Sequence, residues 1–220
     1  RKAMEQRLID AGAYTPDMEH DACGVGLVAS IDGKPRRDVV EKGIEALQAI
    51  WHRGAVDADG KTGDGAGIHV EIPVPFFADQ IARTGHEMTE GKLIAVGQVF
   101  LPRTDFGAQE TCRTIVETEI IAFGYTIYGW RQVPVDIDVI GEKAEATRPE
   151  IEQVMIANSK AVDDDTFERE LYIIRRKIEK AVIASQISDF YMCSLSCRSV
   201  IYKGLFLVEQ LSVFYPDLQD

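Results

Sequence analysis

The sequence has no uninterrupted apolar run near the ~20 residues that a membrane-spanning helix needs. It contains only 4 cysteines in 220 residues, too few for a disulfide framework, so a reducing, cytoplasmic setting is expected. Basic residues are also scarce. Against 36 Asp and Glu there are 24 Lys and Arg, for a formal net charge of -12. No basic stripe offsets that excess, which argues against nucleic acid or an anionic membrane as a partner. The first 22 residues carry charges throughout and lack the apolar core of a secretory signal. There is no internal repeat and no low-complexity tract.

What remains is an ordinary globular composition, 45% apolar, in a chain long enough for one large domain or two small ones. Met4 to Ala11 suits a short helix within a polar leader. GVGLVAS, 24–30, is short, apolar and bounded by glycine and by the turn IDGKP, so it is expected to be a buried strand. From Arg36 to Trp51 the apolar residues Val39, Val40, Ile44, Leu47 and Ile50 recur at helical spacing. Strands are expected at IHVEI, at KLIAVGQVFL (92–101), at the aromatic and β-branched YTIYGWRQV, and at EIEQVMIA. A helix is expected over Ala108 to Ala122. A second, capped by Asp165-Thr166, should run from Phe167 to Ala184 with Leu171, Ile174, Ile178 and Val182 on one face. Its charged side, FERELYIIRRKIEK, reads as a solvated face in which Glu170 pairs with Arg175 or Arg176. DFYMCSLS and SVIYKG read as a strand pair, and LFLVEQLSVFY as a short helix. This order is α+β with a mostly antiparallel sheet.

Cys23 stands where a core cysteine would not, at the edge of an apolar run and immediately before Gly-Val-Gly. A buried, inert thiol is the commonest fate of a cytosolic cysteine. Removal of residues 1–22 would change its chemistry. The thiol, with an unperturbed pKa of ~8.5, would then sit beside a free α-amine of ~7.7–8.0. Such an amine can take the thiol's proton near neutral pH without any His or Asp partner. Gly24 and Gly26 would allow a substrate close to the backbone.

WHRGAVDADGKTGDGAG (51–67) is the second feature. Its glycines follow a helix and precede a strand, the reverse of a dinucleotide-binding phosphate loop, so a nucleotide site is excluded. Two readings stay open: a turn-rich connection, or a site loop over the nucleophile with Arg53 as its charged anchor.

These two segments resemble the class II glutamine amidotransferases, whose mature chains begin with Cys and carry HRG a little downstream. The insertion VDADGKTGDGAG, with GQVFLPR, GWRQVPVD, RPEIEQVMI, LYIIRRKIEK and FYMCSLSCRSVIYKG, is similar to the amidotransferase domain of the large (alpha) subunits of the glutamate synthase family. The resemblance implies a propeptide of residues 1–22 and an amidotransferase region over 23–220. It also implies the four-layer α-β-β-α sandwich of the N-terminal nucleophile hydrolases, present here only as its N-terminal portion. Cys23 would be the nucleophile, hydrolysing glutamine to glutamate and ammonia, and Arg53 a substrate-binding residue. The ammonia would pass to a flavin domain that makes glutamate from 2-oxoglutarate. FMN and an iron–sulfur cluster would belong to other domains, with no cofactor held by this segment. Expected partners are glutamine, the remaining domains of the same polypeptide, and a small (beta) subunit or ferredoxin as electron source.

The family's oxyanion motif, like HNGE, and its carboxylate-binding motif, like RYST, do not occur. The single asparagine is Asn158, followed by Ser159. Those residues are expected beyond residue 220, in keeping with a chain that opens on Arg1 and stops after YPDLQ. Two other readings remain: a truncated, non-catalytic piece, or an N-terminal nucleophile hydrolase acting on another amide. Cys193 and Cys197 have metal-compatible spacing but no second Cys/His pair nearby, so packed core is expected for them. Histidines 20, 52, 69 and 86 share no metal-ligand spacing, and His69 reads as a strand residue.

Because the Cys23 amine must be free to act as a base, residues 1–22 should be absent from active enzyme. Intact-mass measurement of the active full-length protein checks this, and an active species retaining Ala22 would refute it.

Overall fold

The computed structural model describes Gln6, residues 24–89 and residues 91–219. The expected helix over 4–11 lies outside the described residues except at Gln6, which is helical. In chain order the elements are α1 (Arg37–Ala49), a 3-10 turn (Trp51–Arg53), β1 (Ala66–Glu71), α2 (Val74–Arg83), β2 (Ile94–Leu101) and α3 (Phe106–Ala122). There follow β3 (Thr126–Gln132), α4 (Glu142–Thr147), β4 (Glu150–Ala157), α5 (Asp164–Ala184), β5 (Tyr191–Ser196), β6 (Ser199–Gly204) and α6 (Leu211–Phe214). Four strands form one sheet in the order β3-β4-β2-β5, and β1 pairs with β6 in a second. Every one of these pairings is antiparallel. The class is α+β.

The larger sheet is apolar on both faces because both are covered. On β2, Ala95, Val99 and Leu101 point toward α3 and α5, whereas Ile94, Val96 and Phe100 point inward toward β6. Gly97 keeps the centre of the sheet tight, since a Cβ there would stand 2.7 Å from Val154 Cγ1 and 3.0 Å from Leu195 Cδ1. Helix α5 lays Phe167, Leu171, Ile174, Ile178 and Val182 against the sheet, and α3 adds Cys112, Val116 and Ile120. Fully burying each large apolar side chain is worth about 1.5–3 kcal/mol. The inner face is closed by Val200 and Tyr202 of β6, Phe77 and Ile81 of α2, and Leu211, Phe214, Tyr215 and Leu218 near the C-terminal end. The layers described are therefore helix, sheet and sheet. The far face of the second sheet, with Gly67, His69 and Glu71, is exposed.

Four local expectations are corrected. GVGLVAS is neither a strand nor buried: it has no regular structure, and Val25 and Leu27 are 93% and 92% exposed. Its apolar pattern marks residues suited to burial but does not supply the paired edge that makes a strand. The segments YMCSLS and SVIYKG are both strands but do not pair with each other. The Ser196 hydroxyl accepts hydrogen bonds from the amides of Arg198 (2.9 Å) and Ser199 (3.2 Å), turning the chain out of one sheet and into the other. Helix α5 is capped by Asp163, whose carboxylate accepts from Thr166 N at 2.9 Å, rather than by Asp165-Thr166. Glu170 turns to the Tyr125 hydroxyl and Lys160, and Arg175 and Arg176 pair with Glu179. Helix α2 is an addition, in a segment for which no element was expected; Pro73 and Pro75 stand at its start, where their missing amides cost nothing.

A polar cluster crosses the inner core. Arg131 on β3 grips Asp217 with two hydrogen bonds, at 2.8 and 2.9 Å, and also donates to Gln153 Oε1 at 2.8 Å. The Tyr202 hydroxyl donates to Asp217 at 3.1 Å and accepts from Gln153 Nε2 at 3.1 Å. Their side chains are only 11% and 6% exposed for Arg131 and Asp217. Leaving one partner charged and alone in such a site costs about 3–5 kcal/mol, whereas replacing both by apolar residues is far milder. Asp217→Ala should therefore destabilise the chain by about 3–5 kcal/mol, and Arg131→Met with Asp217→Leu by much less. Urea unfolding of both variants checks this; equal losses would show that packing, not charge burial, dominates.

Candidate functional site

Helix α1 ends at Ala49, and the chain tightens into the 3-10 turn Trp51–Arg53, closed by Gly54 N donating to Trp51 O at 3.0 Å. Trp51 and His52 are exposed and meet edge to face, with ring centroids 6.5 Å apart. This turn places the backbone of Arg53 at the mouth of the loop that the sequence singles out. Cys23 and the Arg53 side chain lie outside the described residues.

The loop is an ordered hairpin rather than a slack connection. Val56 bridges Gly63 antiparallel, Asp57 N donates to Thr62 O at 2.8 Å, and Asp64 N donates to Ala55 O at 3.3 Å. Asp59 organises its tip, accepting from the amides of Thr62 (2.7 Å) and Lys61 (3.0 Å) and from the Thr62 hydroxyl. Those bonds, the Thr62 hydroxyl foremost, hold the Asp59 carboxyl down to about 2. Lys143 Nζ meets both carboxylate oxygens of Asp57 at 2.7 Å, lowering that carboxyl and raising the lysine. Asp59, Lys143 and Gly141, which stands against Asp59 and Thr62, were missed in the sequence. Only the Asx-turn composition of DADGKT hinted at them.

The other thiols are held in the unreactive form. Burial pushes the thiols of Cys112 and Cys193 up to about 11. Cys197 is pushed up by burial, and further by Asp164 and Glu168, whose carboxylate oxygens lie 3.1 and 3.2 Å from its sulfur. Cys193 faces the Ile201 carbonyl instead, so the two cysteines of CSLSC serve different contacts. Among the described residues no group of three or more His, Cys, Asp or Glu is arranged to hold a metal ion, and no helix is long and apolar enough to cross a membrane.

A family model for class-II glutamine amidotransferases matches residues 23–220, from Cys23 onward. The chain belongs to that family. It is 68% identical over 219 residues, all of this chain and 14% of the relative, to the large chain of the NADPH glutamate synthase of Azospirillum brasilense. Over 214 residues, 95% of this chain and 14% of the relative, it is 41% identical to the corresponding large chain of Bacillus subtilis (strain 168). A ferredoxin-dependent glutamate synthase 2 of Synechocystis is 40% identical over 202 residues, 92% of this chain and 13% of the relative. The amidotransferase chain thus spans about one-seventh of the length of these relatives.

Raising a thiol from 9.0 to about 11 lowers its thiolate fraction about 100-fold near neutral pH. Cys112 and Cys193 should accordingly be alkylated by iodoacetamide about 100-fold more slowly than a free cysteine in the folded amidotransferase. Peptide mapping over a time course measures this, and labelling at the free-thiol rate would contradict it.

Proposed function

We propose that this chain is the N-terminal part of a glutaminase domain of glutamate synthase, with residues 1–22 as a removable leader and Cys23 as the nucleophile. One observation carries the reading: the family match begins at Cys23, and 68% identity to a glutamate synthase large chain extends over the whole chain. The reaction follows from the chemistry of an N-terminal cysteine. The thiol passes its proton to its own α-amine, and the thiolate attacks the side-chain amide carbon of glutamine. The amine returns the proton to the leaving nitrogen, the carbon–nitrogen bond breaks, and ammonia departs from a glutamyl thioester. Water, deprotonated by the same amine, attacks the thioester, and glutamate leaves as the sulfur takes back a proton.

Arg53 is assigned to the substrate in this reading, from its place in HRG at the mouth of the ordered loop. The ammonia would pass to a flavin domain elsewhere in the polypeptide for reductive conversion of 2-oxoglutarate to glutamate. FMN and the iron–sulfur cluster are assigned in this reading to those other domains. Identity to an NADPH enzyme favours a small (beta) subunit over ferredoxin as the electron source. A cytoplasmic location accords with free, unpaired cysteines.

In the full-length enzyme, Cys23→Ser should abolish glutamine-dependent glutamate synthesis and leave ammonia-dependent synthesis intact. Residues 23–220 alone, lacking an Asn-Gly oxyanion pair, should show no measurable glutaminase activity, since losing even one such donor costs about 10²–10³ in rate. Steady-state assays with glutamine and with ammonium decide both points. Retained glutamine use by Cys23→Ser would overturn the assignment.

A further inference from the structure

We propose that Asp59, Gly141 and Lys143 are positioning residues for glutamine, because the start of α4 sets the place of the hairpin that leads out of Arg53. This inference rests on the glutaminase reading above. The residue before α4 is Gly141, which offers no side chain to cap the helix. The loop packs against that start instead, with the Asp59 carboxylate and the Thr62 hydroxyl standing where a side chain on Gly141 would be. The fit leaves no spare room. A Cβ on Gly141 would collide with the Asp59 carboxylate and the Thr62 hydroxyl, and would stand 2.7 Å from Thr62 N. Gly141 has an extended backbone that any residue adopts, φ -78 and ψ 161, so it is this close approach that favours glycine.

Two further contacts make the junction a clamp. Lys143 reaches both oxygens of Asp57, and Lys61 Nζ donates to the Asp138 carbonyl at 3.4 Å. Helix α4 is itself anchored to the body, since Arg103 donates to the Glu145 carbonyl at 2.9 Å and also to its carboxylate. On its other side the hairpin meets the chain near the C-terminal end. A Cβ on Gly63 would stand 2.5 Å from the Phe206 carbonyl oxygen and 2.8 Å from Leu207 N. The hairpin is therefore held between two fixed surfaces.

Its base joins the 3-10 turn through Gly54, where an added Cβ would be 3.4 Å from Asp64 Oδ1. Trp51, 68% exposed, adds little packing of its own to the turn. Shifting the hairpin therefore shifts the backbone of Arg53, with no large packed surface to resist it. The effect belongs to substrate affinity, because the clamp acts through the backbone of Arg53, the residue assigned to the substrate.

The test uses the full-length enzyme with glutamine and with ammonium as alternative nitrogen sources. Asp59→Ala and Gly141→Ala should each raise KM for glutamine about fivefold, the equivalent of one lost hydrogen bond, with glutamine-driven kcat little changed. Ammonia-dependent synthesis should be unchanged. Asp59→Asn, which keeps an oxygen to accept from the amides of Lys61 and Thr62, should restore KM. If Gly141→Ala does not fold, Asp59→Ala and Lys143→Gln, which introduce no clash, decide the question by the same KM ratio. Unchanged KM in those variants would overturn the inference, as would a loss shared equally with the ammonia reaction. Cys23→Ser in parallel separates the two failures: if it keeps glutamine use, the glutaminase reading falls, whereas if it loses it while KM stays unchanged in the clamp variants, only the positioning role falls.

Discussion

The buried contact between Arg131 and Asp217 is the constraint on which the rest of the molecule hangs. Arg131 belongs to the four-stranded sheet, and Asp217 lies in the closing 3-10 turn, 86 residues away along the chain. Withdrawing both charges from water is expensive unless their remaining hydrogen-bonding capacity is used. Gln153 and Tyr202 use it, and Tyr202 brings the second sheet into the same network. The pair therefore does more than join two residues. It presses residues 206–218 over the inner face, where Phe206, Leu211, Phe214, Tyr215 and Leu218 complete the core.

That closure reaches the candidate site. The Phe206 carbonyl is the surface against which Gly63 rests, so the hairpin after Arg53 takes one of its two supports from the segment that Asp217 holds down. Its other support, α4, is anchored through Glu145 to Arg103 at the end of β2. Core, closing segment and loop form one mechanical chain. An N-terminal nucleophile that supplies its own base asks little of neighbouring side chains for proton transfer. What it asks of the scaffold is placement, the role proposed above for the ordering around residues 54–65.

Much of the fold was legible because it follows from period and composition. The stripe from Phe167 to Val182 specified α5, and the apolar and β-branched content of β2 and β4 marked them as strands. The errors share a cause. GVGLVAS and the YMCSLS/SVIYKG pair were assigned partners from pattern alone, yet pairing depends on which edge the rest of the chain brings near. Helix α2 escaped notice because proline disrupts a helix interior but suits its first turn, and only the position of the start distinguishes the two. Of the site, the HRG segment and its glycine-rich loop were visible as motifs. The clamp was not, because Asp59 and Gly141 are separated by 82 residues and neither has a local pattern that names the other.

By itself the sequence determined the class of elements, the antiparallel character of the sheets, the identity of the nucleophile candidate and the family, since each rests on local spacing or on residue type at a given place. Only the tertiary structure decided that β5 and β6 belong to different sheets, that Arg131 and Asp217 share the inner core, and that the loop beyond Arg53 packs against the start of a helix far along the chain. Those are contacts between distant residues. They are selected by the burial of apolar surface and the satisfaction of buried polar groups over the whole chain at once, which no local window contains.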